Sequence, residues 1–232
     1  GAVRGLTPHR PGLGPSPPFE TCEWKRQVTL PVFVARQWIR HRTANVNEYS
    51  ARYSIVPDRF YIPTLESVRK QSRANRQGGE ELFNVAAPDD LKTAEQFIDY
   101  LSQVERLYAQ YRDLTEKGVS RELARIGLPV NLYTEWYWKC DLHNVLRFLS
   151  LRLDAPAQSE IRDYSAAMLA LIEPIVPITV EAWRDYEMES MRLTRLEIDA
   201  IRSLQSGGSG ELSSDNSREK AEWAAKRASL GL

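Results

Sequence analysis

An apolar repeat between Asp89 and Lys117 constrains this chain more than any other feature. Leu91, Ala94, Phe97, Ile98, Leu101, Val104, Leu107, Tyr108, Tyr111 and Leu114 recur every three or four residues. That spacing places side chains on one face of an α-helix. Asp89 or Asp90 suits the start of the helix and Gly118 its end. A carboxylate caps open amides, and glycine accepts the left-handed closing conformation. So long an apolar stripe needs a second layer to cover it. Residues 134–140, TEWYWKC, supply aromatic side chains that suit a pleated strand.

Shorter elements surround these two. Residues 22–30 read as a strand with Cys22, Trp24, Arg26 and Val28 on one face. Pro31 suits the first turn of a helix carrying Val32, Ala35, Trp38 and Ile39. Gln37 and Arg40 then lie one turn apart near its end. HRTANVNEYSARY (41–53) reads as a polar loop and FYIP (60–63) as a short extended piece. Ser120 suits the cap of a helix RELARIGL that Pro129 stops, and Asp141 the cap of LHNVLRFLSLRL. Asp154 suits the cap of a helix reaching about Ile175, and a further helix is expected over about 179–191. The fold class expected is α+β: a helix-rich single domain around a small mixed or antiparallel sheet, with a flexible C-terminal tail. Residues 1–18 hold four glycines and five prolines and are expected to be irregular. Residues 19–204 form the expected domain. Residues 205–232 open with QSGGSGELSSDNS, a linker composition, and end in a tail able to form a short peripheral helix.

Lysine plus arginine equal aspartate plus glutamate at 31 each, so net charge points to neither nucleic acid nor membrane. No apolar run approaches the ~20 residues that span a bilayer. A basic-then-apolar secretory pattern is also missing, and a cytoplasmic location is the expectation. Cys22 and Cys140 occupy no CxxC or zinc-ligand spacing and read as reduced packing residues, with no metal site expected. The charge is locally uneven. From Arg36 to Arg76, nine arginines and lysines face three acidic residues, which makes this the strongest anion site in the chain.

Within that segment, residues 37–53 bring Arg40, His41, Arg42 and Arg52 close to Glu48 and Ser50. Arginine forks match phosphate oxygens bidentately, and a serine hydroxyl adds a donor. Glu48 can accept from a sugar hydroxyl or hold an arginine. The pattern suits a phosphorylated, hydroxyl-bearing ligand such as a nucleotide. A surface loop whose arginines pair with acids elsewhere satisfies the same pattern.

Arg40-His41-Arg42, seven residues, then Ser50 resembles the signature of the flavin-dependent thymidylate synthases. The resemblance extends through PVFVARQWIRHRTANVNEYSARYS, FYIP, RELARIGLPVNLYTEWYWK and LSLRLDAPAQSEIR, over roughly residues 18–185. It implies an α/β homotetramer with active sites where subunits meet. It also implies methylation of dUMP to dTMP with FAD, methylenetetrahydrofolate as carbon donor and NADPH as reductant. On this resemblance dUMP contacts fall on Gln37, Arg40, Glu48, Tyr49, Ser50, Ala51, Arg52 and Arg125, with Ser50 and Arg52 at the phosphate. Arg152 corresponds to the arginine that helps ionise the uracil N3 and is the expected catalytic residue. FAD contacts fall on Glu20, His41, Arg42, Asp141, His143 and Arg147. A helix-start histidine that merely caps or faces water is the alternative for His143. Reduced flavin supplies the hydride, so no protein nucleophile is required.

Several positions depart from the family pattern. Members usually carry strand and helix before the position of Pro18, whereas this chain has the Pro/Gly-rich stretch. Pro15 and Thr21 stand where histidines are usual, and so does Pro156. Proline offers no donor, so flavin binding weaker than that of a complete member is expected. Two other readings accompany the enzyme: a non-catalytic, truncated or divergent member that keeps nucleotide binding, and a nucleic-acid-binding module using the basic loop. The last lacks glycine-flanked aromatic motifs and a basic net charge.

Overall fold

The computed structural model describes residues 17–72, 78–154 and 157–232. Most of the Pro/Gly-rich stretch, including Pro15, and also Pro156 lie outside the described residues. In chain order the first elements are α1 (Pro17–Glu20), β1 (Glu23–Pro31), α2 (Val32–Trp38), β2 (Asn45–Glu48), β3 (Arg69–Gln71) and β4 (Gly79–Leu82). Then follow α3 (Pro88–Ser102), α4 (Val104–Glu116), α5 (Arg121–Ala124), β5 (Tyr133–Asp141), α6 (Leu142–Arg152), α7 (Ser159–Ile172) and α8 (Pro177–Trp183). The last two are α9 (Arg195–Gln205) and α10 (Ser217–Leu230). The fold is α+β: helices gather on a small antiparallel sheet, with β5 between β1 and β2.

Strand β5 has the alternation that the aromatic run predicts. Trp136, Trp138 and Cys140 are buried while Tyr137 between them is exposed, because successive side chains point to opposite faces. Helix α2 lays Trp38 onto that buried face. Its ring meets Trp136 at 6.0 Å and Trp138 at 5.7 Å, both edge-on, and Phe148 of α6 at 4.7 Å. Edge-to-face packing is the arrangement favoured by aromatic quadrupoles. Tyr164 of α7 closes the cluster, and its hydroxyl donates to the Thr29 carbonyl on β1 at 2.9 Å.

Several sequence expectations are corrected. The stretch 41–53 is not loop throughout. Asn45–Glu48 forms β2, paired antiparallel with β5 from Asn45↔Lys139 to Glu48↔Trp136. Its residues are polar because an edge strand is largely wet, so they carry no apolar alternation. The long repeat is two helices, α3 and α4, separated at Gln103. Neither Asp89 nor Asp90 is the cap residue, which is Ala87; Asp90 instead accepts the Asn84 amide at 2.9 Å. Gly118 does close the pair, at φ +96°. Pro31 ends β1 and caps α2 from outside, and α2 stops at Trp38, which leaves Arg40 in the following turn. Cys22 is exposed rather than packed. The hairpin β3–β4 carries no pattern that the sequence reading detected.

The described residues form two compact units, one through Trp183 and one from Arg184. The second begins with a π-helical turn, Arg184–Met188. Helix α9 opens on a capping box, Thr194 with Glu197. The segment read as a linker and tail ends in α10, whose Trp223 is buried with Ala200 and Leu212. The indole N–H of Trp223 donates to the Gly210 carbonyl at 2.9 Å, and Lys226 binds the buried Glu197 at 2.8 Å.

Trp138 has no exposed surface. Trp138→Ala is therefore expected to lower unfolding free energy by about 3–5 kcal/mol, read from the midpoint of urea denaturation with the slope unchanged.

Candidate functional site

Strand β5 and the turns that begin and end on it carry two groups of polar side chains. The first surrounds His41. Asp141 is both the last residue of β5 and the cap of α6. Its Oδ1 accepts the Asn144 amide and its Oδ2 accepts Asn144 Nδ2, each at 2.8 Å. The turn after α2 presents His41 to this helix start, its amide donating to the Trp38 carbonyl at 2.9 Å. The imidazole stands edge-on to Phe148 at 5.4 Å, and its Nε2 lies 2.9 Å from Thr43 Oγ1. Burial lowers the ring's pKa below its ordinary 6.5, and the cations Arg147 and Arg152 push in the same direction. The Asn144 backbone hydrogen bond and Asp141 oppose them without reversing the result.

Arg152 ends α6 and is half-buried. Its Nη2 donates to the Gln37 carbonyl at 3.3 Å. Its Nε is buried without a partner, and so is the Gln37 Oε1. Burial alone draws the guanidinium's pKa below the usual arginine range. Two orphaned polar atoms on adjoining residues are costly in a folded chain; four indole nitrogens and Asn131 Oδ1 are likewise buried without a partner among the described residues.

The second group lies farther up β5. Glu48 Oε1 accepts the Thr134 hydroxyl at 2.7 Å, and the Tyr49 amide donates to the Glu135 carbonyl at 2.8 Å. The loop that follows is held tightly. The Ser50 carbonyl accepts the amides of Tyr53 and Ser54, and the Tyr49 hydroxyl donates to the Ile55 carbonyl at 3.2 Å. Helix α4 then takes both backbone groups of Val56: its amide donates to the Tyr111 hydroxyl at 3.2 Å, and its carbonyl accepts from Tyr108 at 2.6 Å. Ala51 packs against the cluster that these tyrosines form with Val56 and Leu132. Helix α5 clasps the loop from another side. Arg121 Nη1 donates to the Tyr53 carbonyl at 2.5 Å, and Glu122 lies 3.3 Å from Arg52. Arg125, exposed, begins the tight turn after α5.

The sequence-predicted residues thus divide into two sets. Gln37, His41, Asp141, Arg147 and Arg152 lie along α6, with Asp141 and His41 at its start and Gln37 against Arg152 at its end. Glu48, Tyr49, Ser50, Ala51, Arg52 and Arg125 gather at the loop. From Trp136, opposite Glu48, to Asp141 is about 17 Å of strand at ~3.3 Å per residue. Arg40, Arg42 and His143 are exposed, and no ion pair holds them among the described residues. Glu20 is exposed on α1, which packs against α6. The reading in which loop arginines pair with acids holds for Arg52 alone within the signature, through an ion pair more than half exposed on both sides.

Sequence reasoning missed Thr43, Asn144 and Phe148 around His41, and Thr134, Arg121 and Glu122 around the loop. Arg121 was detectable, since it stands one helical turn before Arg125. Thr134 meets Glu48 because β2 pairs with β5, whereas Asn144 and Phe148 lie on α6 and Glu122 on α5. The Cys140 thiol is pushed up to about 12, first by burial and then by Asp141, so it is no nucleophile near neutrality.

The family model described as thymidylate synthase complementing protein matches residues 4–178. A flavin-dependent thymidylate synthase of Dictyostelium discoideum is 58% identical over 210 residues, which is 90% of this chain and 66% of that relative. The chain belongs to this family. A second flavin-dependent thymidylate synthase, of Wolbachia pipientis, is 51% identical over 82% of this chain and 65% of its own length. The chain thus spans about two thirds of the length of these curated family members. Among solved structures, a UMP/dUMP methylase of Streptomyces cacaoi bound with 5-Br UMP superposes with a TM-score of 0.66 at 28% identity. That match covers 81% of this chain and 82% of the methylase.

A ring whose pKa lies below 6.5 is neutral at pH 7. NMR titration of His41 is expected to give a midpoint below that value. Arg147→Gln removes a repelling cation, so it should move the midpoint upward; a downward shift would contradict the assigned cause.

Proposed function

We propose that the protein methylates dUMP to dTMP, using FAD, methylenetetrahydrofolate as carbon donor and NADPH as reductant. The observation that carries this reading is the signature in family register, Arg40-His41-Arg42 with Ser50, together with the half-buried Arg152. The methylase of known structure is described as acting on UMP and dUMP, which supports a uridylate for this chain too.

In this reading Ser50 and Arg52 hold the nucleotide phosphate, with Arg125 beside them. Arg52 must exchange Glu122 for that phosphate; the ion pair it leaves is exposed, and such pairs contribute little. Glu48 keeps the loop against Thr134 and offers its second oxygen to the sugar. Tyr49, Ala51 and the two α4 tyrosines hold the backbone still, so less ordering is needed on binding. Gln37 and Arg40 face the base, and the half-buried Arg152 stabilises negative charge as the uracil ring becomes nucleophilic.

The residues present suit FAD. Arg42 and Arg147 flank the neutral His41 with exposed cations fit for a pyrophosphate. Glu20 and His143 stand by the start of α6. Asp141 gives one bond from each oxygen to Asn144, so it holds the helix start and keeps acceptor capacity for the cofactor. When bound, FAD supplies the hydride that turns a transferred methylene into a methyl group. The family resemblance further implies a homotetramer in which neighbouring copies complete each site. A cytoplasmic location accords with the substrates; among the described residues no helix is long and apolar enough to cross a membrane.

The test supplies purified protein with dUMP, methylenetetrahydrofolate, NADPH and FAD and follows dTMP by chromatography. Product above the level without FAD supports the reading, and its absence with all substrates present sinks it. Arg52→Ala is expected to weaken dUMP binding about tenfold or more in calorimetry, with no change for deoxyuridine, which has no phosphate. Light scattering is expected to give four times 26.6 kDa.

A further inference from the structure

We propose that Arg121 is a positioning residue at the phosphate end of the nucleotide site, where it holds Arg52 and Arg125 at a fixed spacing. The inference rests on the dUMP reading above. The two arginines come from segments far apart in the chain: Arg52 from the loop after β2, Arg125 from the tight turn after α5. Two polar contacts join those segments among the described residues. Arg121 Nη1 donates to the Tyr53 carbonyl at 2.5 Å, and Arg52 Nε lies 3.3 Å from Glu122 Oε2. A phosphate that takes Arg52 must open the second contact. The first engages neither Arg52 nor Arg125, so it survives the exchange.

The other anchors of the loop lie at its ends. Tyr49 is fixed to Glu135 of β5, and Val56 to Tyr108 and Tyr111 of α4. Between Ser50 and Ser54, among the described residues, the backbone bonds to itself through the Ser50 carbonyl and to the rest of the chain through Tyr53 alone. Ala51 and Ala124 both pack on the cluster of Val56, Tyr108, Tyr111 and Leu132. That packing brings loop and helix together, but apolar contact has no direction. A hydrogen bond has one, and this bond acts one residue from Arg52. A guanidinium donor also makes it stronger than a bond between neutral groups. Arg121 stands four residues before Arg125, one helical turn, so its hold on Tyr53 also sets where Arg125 stands.

The experiment measures dUMP binding by calorimetry and amide exchange by NMR, both on the full chain. Arg121→Ala should weaken dUMP binding about threefold to tenfold and leave deoxyuridine, which has no phosphate, unchanged. In the ligand-free variant the Ser54 amide, bonded to the Ser50 carbonyl at 3.2 Å, should exchange faster than in the wild type. The midpoint of urea denaturation should stay where it is. An arginine that merely attracts phosphate costs the same in any background. With Arg52 gone there is no spacing left to keep, so Arg121→Ala added to Arg52→Ala should change dUMP affinity by less than about twofold. Wild-type dUMP affinity in Arg121→Ala, wild-type exchange at Ser54, or an undiminished loss in the Arg52→Ala background overturns the proposal. If the wild type binds no dUMP, the nucleotide reading fails, and the exchange rate at Ser54 still decides whether Arg121 holds the loop.

Discussion

The contact on which the arrangement depends is the seat of Trp38 against Trp136, Trp138 and Phe148. It joins α2, β5 and α6 through large apolar side chains that are almost wholly removed from water. Burial of that kind is worth roughly 25 cal/mol per Å2 of apolar surface, far more than any one exposed ion pair here. Its consequence is positional. Trp38 ends α2, and the turn that follows must deliver His41 to the first turn of α6, where Asp141 has already engaged Asn144. The signature arginines inherit their places from a tryptophan that touches no ligand.

The same strand governs the second group. Strand β2 pairs with β5, and this brings Glu48 to Thr134 and starts the loop that carries Ser50 and Arg52. The loop's far end is anchored by two tyrosine hydroxyls of α4. Rigid ends with exposed polar side chains between them suit a binding loop, because the backbone is ordered before any ligand arrives. Cations accumulate where the scaffold gives them no acid. Arg147 and Arg152 act on His41 without a carboxylate strong enough to offset them, and the ring responds by staying neutral.

Much of this was legible in residue order. The aromatic alternation of 134–140, the cap at Asp141 and the closing glycine at 118 each follow from local chemistry that needs no partner. Failures occurred where the partner was remote. Asn45–Glu48 has no apolar alternation and becomes a strand only because β5 offers its free edge. The α3–α4 stripe reads as one helix because a break at Gln103 costs nothing that periodicity can register. The site residues named on the signature were recovered as names, but their division into two sets along β5 was not. The linker-like segment after Gln205 hid that α10 would bury Trp223 against α9.

Residue order alone determined the fold class, the cationic character of the segment after Arg36 and the family, since each depends on composition and spacing within a few turns of chain. Tertiary structure alone decided that Arg152 and Gln37 leave polar atoms unpaired, that Arg52 rests on Glu122, and that His41 sits between Thr43 and Asn144. The reason is distance along the chain. Arg152 is brought to Gln37 across more than a hundred residues, and no local propensity encodes a contact that only the packing of Trp38 onto β5 and α6 brings about.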